Sequence, residues 1–404
     1  MQNKKPTLGP ATLVTAAFIG PGTVTLCTLA GVNHGTDLLW ALLLSIIATI
    51  YIQNTAARMS FSSGMGLVSV VRHGIPQKLL RIPLLLLIVS AIFVGNTAYE
   101  AGNISGAVLG LDQFIENRSL NLGGLSLSTG PLLIGLVVSL LILFGNIELL
   151  KKLLIAIVIL MSISFVMAAI LSAPSFSAIL SGIFKPSLNA ENTLTVVGLV
   201  GTTVVPYNLF LHAALVKDAA DQGYNQKDLQ KDTFIAVALG GLISMAIIIA
   251  SSAVQGADIQ NAADLGLALK PLLGDSAVYL ISAGLFAAGL SSAMTAPLAA
   301  AYVIGESMDL DKGEKSPLFK GIALFVLLIG ILFASASYKP IEIIRFAQIA
   351  NGLLLPIVGI FIFWMVNRSK LMHAQRPSLL QNICNLIIIL FFIFLGVKSL
   401  GLIY

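Results

Sequence analysis

The sequence predicts an all-α integral membrane protein of about eleven transmembrane helices, the first ten forming an inverted five-plus-five repeat with broken helices at spans one and six. Three observations carry this expectation. Of the 404 residues, 57% are apolar and only 10% charged, far too little charge to solvate a soluble domain of this length. Apolar runs of about 20 residues, the length of one crossing, recur along the whole chain. Two of them are interrupted by proline, at Ala16-Ala17-Phe18-Ile19-Gly20-Pro21-Gly22-Thr23 and at Gly201-Thr202-Thr203-Val204-Val205-Pro206-Tyr207-Asn208. Proline removes a backbone donor and clashes with the preceding turn, and paired interruptions in matching places point to the binding site of a transporter.

Taken in order, the spans fall at roughly 9–33, 37–58, 82–111, 127–147, 152–172, 193–217, 232–254, 274–305, 318–337, 340–366 and 378–401, with polar connectors between them. The first repeat occupies 1–175 and the second 190–366. An odd number of spans per set makes the second enter the membrane upside down. The remaining segment, 376–404, is an additional helix suited to packing or oligomer contact. Lysine and arginine set the orientation: with the N-terminus inside, all but Arg118, Lys185, Lys270, Lys339, Arg345 and Lys398 of the 23 basic residues lie on the cytoplasmic side, as the positive-inside rule requires. The chain is therefore expected in the inner (plasma) membrane, multi-pass, with a retained first span in place of a cleaved signal peptide. Its partners are the lipid bilayer and a small ion. The net charge of +5 belongs to these loops and not to a nucleic-acid surface, because no stretch alternates basic with aromatic residues. Cys27 and Cys384 sit in apolar runs and form no C-x-x-C pair, so they read as packing groups.

Where a helix unwinds in hydrocarbon, its freed N–H and C=O groups need polar partners. The first break offers Gly20, Gly22 and the Thr23 hydroxyl; the second offers Thr202, Thr203, Val205, the Tyr207 phenol and the Asn208 amide. Neither break contains a carboxylate, sulfur ligand or imidazole. Half-helix N-termini carry partial positive charge and favour anions.

These segments resemble the natural resistance-associated macrophage protein (NRAMP) family. Gly201-Thr202-Thr203-Val204-Val205-Pro206-Tyr207-Asn208-Leu209-Phe210-Leu211-His212 is similar to the family's G-A-T-V-M-P-H-N-L-Y-L-H. Ala287-Ala288-Gly289-Leu290-Ser291-Ser292, and Gln348 followed by Pro356, add to the likeness. The resemblance implies a LeuT-like fold, alternating access and a site between spans one and six. The family's own cargo is divalent metal, coupled to protons. This chain departs from that pattern: Gly20-Pro21-Gly22-Thr23 stands where the family has D-P-G-N, and Val205-Pro206-Tyr207 where it has M-P-H. The metal-ligating Asp, Asn and Met are thus absent.

The expected cargo is accordingly a small anion, bicarbonate or a short carboxylate, with a divalent metal ion (Mg2+ or Mn2+) as the alternative, proton-coupled or uncoupled. Thr23, Thr202 and Tyr207 would donate to its oxygens. The carbonyls near Ala17 and Thr202 could hold water or a co-ion, and Gly20, Val205, Asn208, Gln348 and Asn351 complete the lining. No metal-ligand residue is assigned. A charge buried in span three costs about 3 kcal/mol on insertion scales, which makes Glu100 a coupling residue. The resemblance pairs it with Asn103 and adds His212. No cofactor is expected beyond a coupling ion, H+ or Na+. An enzyme is not expected either: the chain has no H-E-x-x-H, G-x-S-x-G or G-K-[ST] element.

Overall fold

The computed structural model describes residues 19–115, 118–122, 125–144, 148–217, 219, 223–309, 316–335, 339–368 and 377–403. It is built from helices, named here α1 (Pro21–His34), α2 (Leu39–Ser63), α3 (Leu67–Gly74), α4 (Lys78–Leu111), α5 (Thr129–Phe144), α6 (Glu148–Leu171), α7 (Phe176–Phe184), α8 (Thr193–Thr203), α9 (Pro206–Val216), α10 (Gln226–Ser252), α11 (Ala277–Ser307), α12 (Pro317–Ala334), α13 (Pro340–Arg368) and α14 (Leu379–Ile403). Short helical turns over 262–276 precede α11. Among the described residues nine helical segments are long and apolar enough to cross a membrane, α8 and α9 together making one of them. The 16-residue α5 and the half-helix α1 bring the number to the expected eleven.

The helix starts follow from local chemistry. Pro21, Pro206 and Pro317 stand at the first helical position, where a missing N–H costs nothing. Asn225 and Asp228 form a reciprocal capping box at α10, and Ser175 and Ser316 cap α7 and α12, each satisfying backbone donors that a helix start leaves open.

Several connectors read as plain loops carry structure of their own. Ser119–Leu122 pairs antiparallel with Leu125–Ser128 as a hairpin ahead of α5. Its alternation of serine or asparagine with leucine is strand-like, but the segment is too short to stand out beside the spans. α3 is an eight-residue amphipathic helix with Leu67, Val68, Val70 and Val71 buried. Glu306, at the end of α11, accepts from the N–H groups of Val68 and Ser69 at 3.2 and 3.4 Å. Arg72 donates to the Ser307 carbonyl at 2.6 Å and pairs with Asp309 at 3.2 Å. This clasp ties α3 to α11.

At the centre, α4 packs against α11, α12 and α13, while α10 lies along α1 and α2. Small residues make these approaches possible. Gly289 of α11 sits on the backbone of α4, and a Cβ there would run into Ala107 N and the Asn103 carbonyl. Gly289→Ala is therefore expected to destabilise by about 1–3 kcal/mol, as overpacking does. Gly321→Ala, inside α12, has no atom within 4 Å of the added methyl and is expected to raise stability in detergent by about 0.5–1 kcal/mol, the helix preference of alanine over glycine.

Candidate functional site

The interruption in the sixth span is real. The helical ladder of α8 ends with the Val204 N–H on the Val200 carbonyl and resumes with the Val205 carbonyl accepting from Asn208 and Leu209. Val204 and Val205 lie outside helical geometry, with ψ of 81° and 117°. The Thr202 carbonyl has no ladder partner because Pro206 has no N–H to give, and the non-helical turn at Val204 and Val205 interrupts the ladder on either side of it. In the first span α1 begins at Pro21 after an extended Gly20. Ala17 lies outside the described residues.

The two interruptions meet. Thr23 Oγ1 and Thr202 Oγ1 are 2.9 Å apart and buried, a hydroxyl bridge from α1 to α8. Gln348 of α13 closes over them. Its side chain lies where a Cβ on Gly22 would be, and its backbone carbonyl where a Cβ on Gly201 would be, so Gly22 admits the amide and Gly201 the close approach of the α13 backbone. Pro21 in turn rests on Gly106 of α4.

Tyr207 turns away from this bridge onto α4, where its ring meets that of Tyr99 edge-on at a centroid distance of 5.1 Å. Tyr99 also approaches the Gln348 side chain. Among the described residues several buried polar atoms here have no protein partner: the Tyr207 hydroxyl, both amide atoms of Asn208, Gln348 Oε1, Asn351 Nδ2 and both ring nitrogens of His212. Buried groups of this kind cost free energy unless something polar meets them. Next to Tyr99, Glu100 is fully buried; one carboxylate oxygen accepts from Asn103 Nδ2 at 3.4 Å and the other has no protein partner. It is the only buried acidic residue among those described. No group of three or more His, Cys, Asp or Glu among the described residues is arranged to hold a metal ion.

A family model of natural resistance-associated macrophage protein-like sequences matches residues 11–401. The chain belongs to the Nramp family. Among relatives of this Nramp protein, the divalent metal cation transporter MntH of Acidiphilium cryptum is 27% identical over 384 residues, covering 91% of this chain and 83% of the relative. The manganese transporter of Eremococcus coleocola has the same fold, with a TM-score of 0.74 at 17% identity over 97% of this chain and 85% of that one. Mhp1, a nucleobase-cation-symport-1 family transporter, gives 0.57 at 14% identity over 99% and 92%. The Nramp chain is a multi-pass membrane transporter of LeuT-like fold.

Of the residues singled out in the sequence, the Nramp fold brings Thr23, Thr202 and Gln348 together at the buried breaks marked by Gly20 and Val205, while Tyr207, expected to donate to cargo, packs instead on Tyr99 of α4, next to the bonded pair Glu100 and Asn103. Asn208, Asn351 and His212 are buried on the same helices. Asn351 faces α4, its Oδ1 3.6 Å from where a Cβ on Gly95 would be. Thr23 and Thr202 were expected to donate to cargo oxygens; with the two bonded to each other, one of the pair spends its proton on the other. Tyr99 and Asn96 were missed, although Asn96, Tyr99, Glu100 and Asn103 fall three to four residues apart on one helical face, and Asn96 donates to the Ala296 carbonyl at 3.3 Å.

A double-mutant cycle of Thr23→Val and Thr202→Val, read by thermal unfolding, should show the pair costing less than the sum of the singles by about 0.5–1.5 kcal/mol, the worth of one hydrogen bond.

Proposed function

We propose that this transporter carries a hard divalent cation, Mg2+ before Mn2+, by alternating access, with the five-helix units 1–175 and 190–366 moving about the layer between α1, α8 and α9. One observation supports this most: buried oxygens of Thr23, Thr202, Asn208 and Gln348, together with the released carbonyl of Thr202, surround the break with no sulfur among them. Oxygen-only surroundings suit Mg2+, which sheds its water reluctantly and is held through its hydration shell. A soft thioether would bias the site away from Mg2+ towards a softer ion, and Val205 cannot supply one. The named relative carries divalent metal cations, which favours a cation over bicarbonate or a carboxylate. The positive charge would be balanced in part by Glu100, which we take as the group exchanging a proton with the cargo.

A second reading, a small anion, draws on one feature. Both α1 and α9 present their N-termini to the break, and the partial charge there repels cations. Against it stands the C-terminal end of α8 at the same break, whose partial negative charge favours a cation.

Flux into proteoliposomes separates the two. Saturable Mg2+ entry is expected, slower Mn2+ entry, and labelled bicarbonate entry no faster than in protein-free vesicles; bicarbonate flux without cation flux would reverse the assignment. Asn208→Ala and Gln348→Ala are expected to lower Mg2+ entry roughly ten-fold each, the scale of losing one hydrogen bond to a charged ligand. Glu100→Gln should keep downhill Mg2+ entry while abolishing its response to an imposed pH gradient. A response equal to that of the unaltered protein would remove Glu100 from coupling.

A further inference from the structure

Far from the α1–α8 break, Arg58 presents a charge without a counter-ion among the described residues. It sits near the end of α2, half-buried, and donates from Nη1 to Gln381 Oε1 of α14 at 3.0 Å. Its Nε is buried with no partner among the described residues, as is the neighbouring Asn54 Oδ1. Among those residues no carboxylate lies within ion-pairing distance of it. The guanidinium forms the base of a groove of about 220 Å³ between α2, α10 and α14, rimmed by Tyr51, Asn54, Thr55, Gln230 and Gln381. Lys227 and Lys231, both exposed, flank Gln230 on the first turns of α10. Taking a guanidinium out of water without an anion is costly, and the acids of the same turns, Asp228 and Asp232, make no ion pair with it.

The groove continues as an apolar track. From Arg58, successive turns of α2 present Tyr51, Ile47 and Leu44, which are 36%, 42% and 41% exposed, and α14 adds Leu380 and Ile383 at 70% and 46%. One end is cationic and rich in amides; the rest is greasy and runs along the membrane-crossing direction. That is the complement of an amphiphile with an anionic head. Planar N–H donors match phosphate oxygens in pairs, and basic pockets between membrane helices at the positive side take acidic headgroups.

We propose that the α2–α10–α14 groove is a binding site for an anionic phospholipid, with the phosphodiester on Arg58 and one acyl chain along Tyr51, Ile47 and Leu44. A free phosphate ion offers the same headgroup chemistry, but it has no use for the apolar track.

Native mass spectrometry of the full-length protein in detergent, titrated with phosphatidylglycerol, phosphatidylcholine or inorganic phosphate, tests this. Phosphatidylglycerol adducts are expected on the unaltered protein, with affinity roughly five-fold lower in Arg58→Gln, the effect of one basic residue at a lipid surface. Gln230→Trp, which keeps the charge and fills the groove mouth, is expected to weaken the same adducts and serves also where Arg58→Gln does not fold. Phosphatidylglycerol affinity unchanged in the folded variants, equal binding of phosphatidylcholine, or stabilisation by inorganic phosphate matching that by the lipid would each overturn the proposal. The readout does not involve cargo, so it stands or falls apart from the assignment of a divalent cation.

Discussion

The architecture around the centre is governed by one backbone fact: between Val200 and Val205 the α8–α9 chain cannot keep its hydrogen-bond ladder, because Pro206 has no proton to donate. In hydrocarbon such a gap is tolerated only where the surroundings are polar or belong to the protein. Here they are both. The Thr23–Thr202 bridge ties the second interrupted segment to the first, Gln348 roofs them, and Tyr99 and Tyr207 line the flank towards α4. Each of these neighbours requires close backbone approach, which is why glycine stands at 22, 106 and 201.

The sequence was most legible where a rule of covalent structure forces the outcome. Pro21 and Pro206 announce the helix starts they make, and Thr23 and Thr202 occur beside them because an unwound segment needs hydroxyls. Span length gives the helix count, and Pro21 marks where α1 starts. Legibility failed where the signal lies in three dimensions. Tyr99 looks like one more aromatic in an apolar run until its ring is found against Tyr207. Gly22 looks like helix-breaking emphasis for Pro21 until Gln348 occupies the space a methyl would need. α3 and α7 are too short to be distinguished from connectors by periodicity alone, and α3 owes its place to a carboxylate 238 residues away.

Cargo was harder still, since absence of acid near the breaks argues in two directions. The helix N-termini at Pro21 and Pro206 speak for an anion, and a reading from those dipoles alone gives bicarbonate. Oxygen atoms released by the same breaks speak for a hydrated cation, and the family relationship adds weight on that side. The two sets of partial charge come from a single cause, the ends of helices, so composition cannot weigh them.

The clasp between α3 and α11 has a different character from the packing at the centre. Arg72 and Asp309 pair near the solvent edge, where mobile ions screen attraction over distances of about 10 Å, whereas the contacts of Gly289 with α4 and of Gly22 with Gln348 are steric and indifferent to electrolyte. The molecule therefore has a brittle hinge pin at mid-depth and a magnetic catch at its rim: ionic strength loosens the catch and leaves the pin untouched.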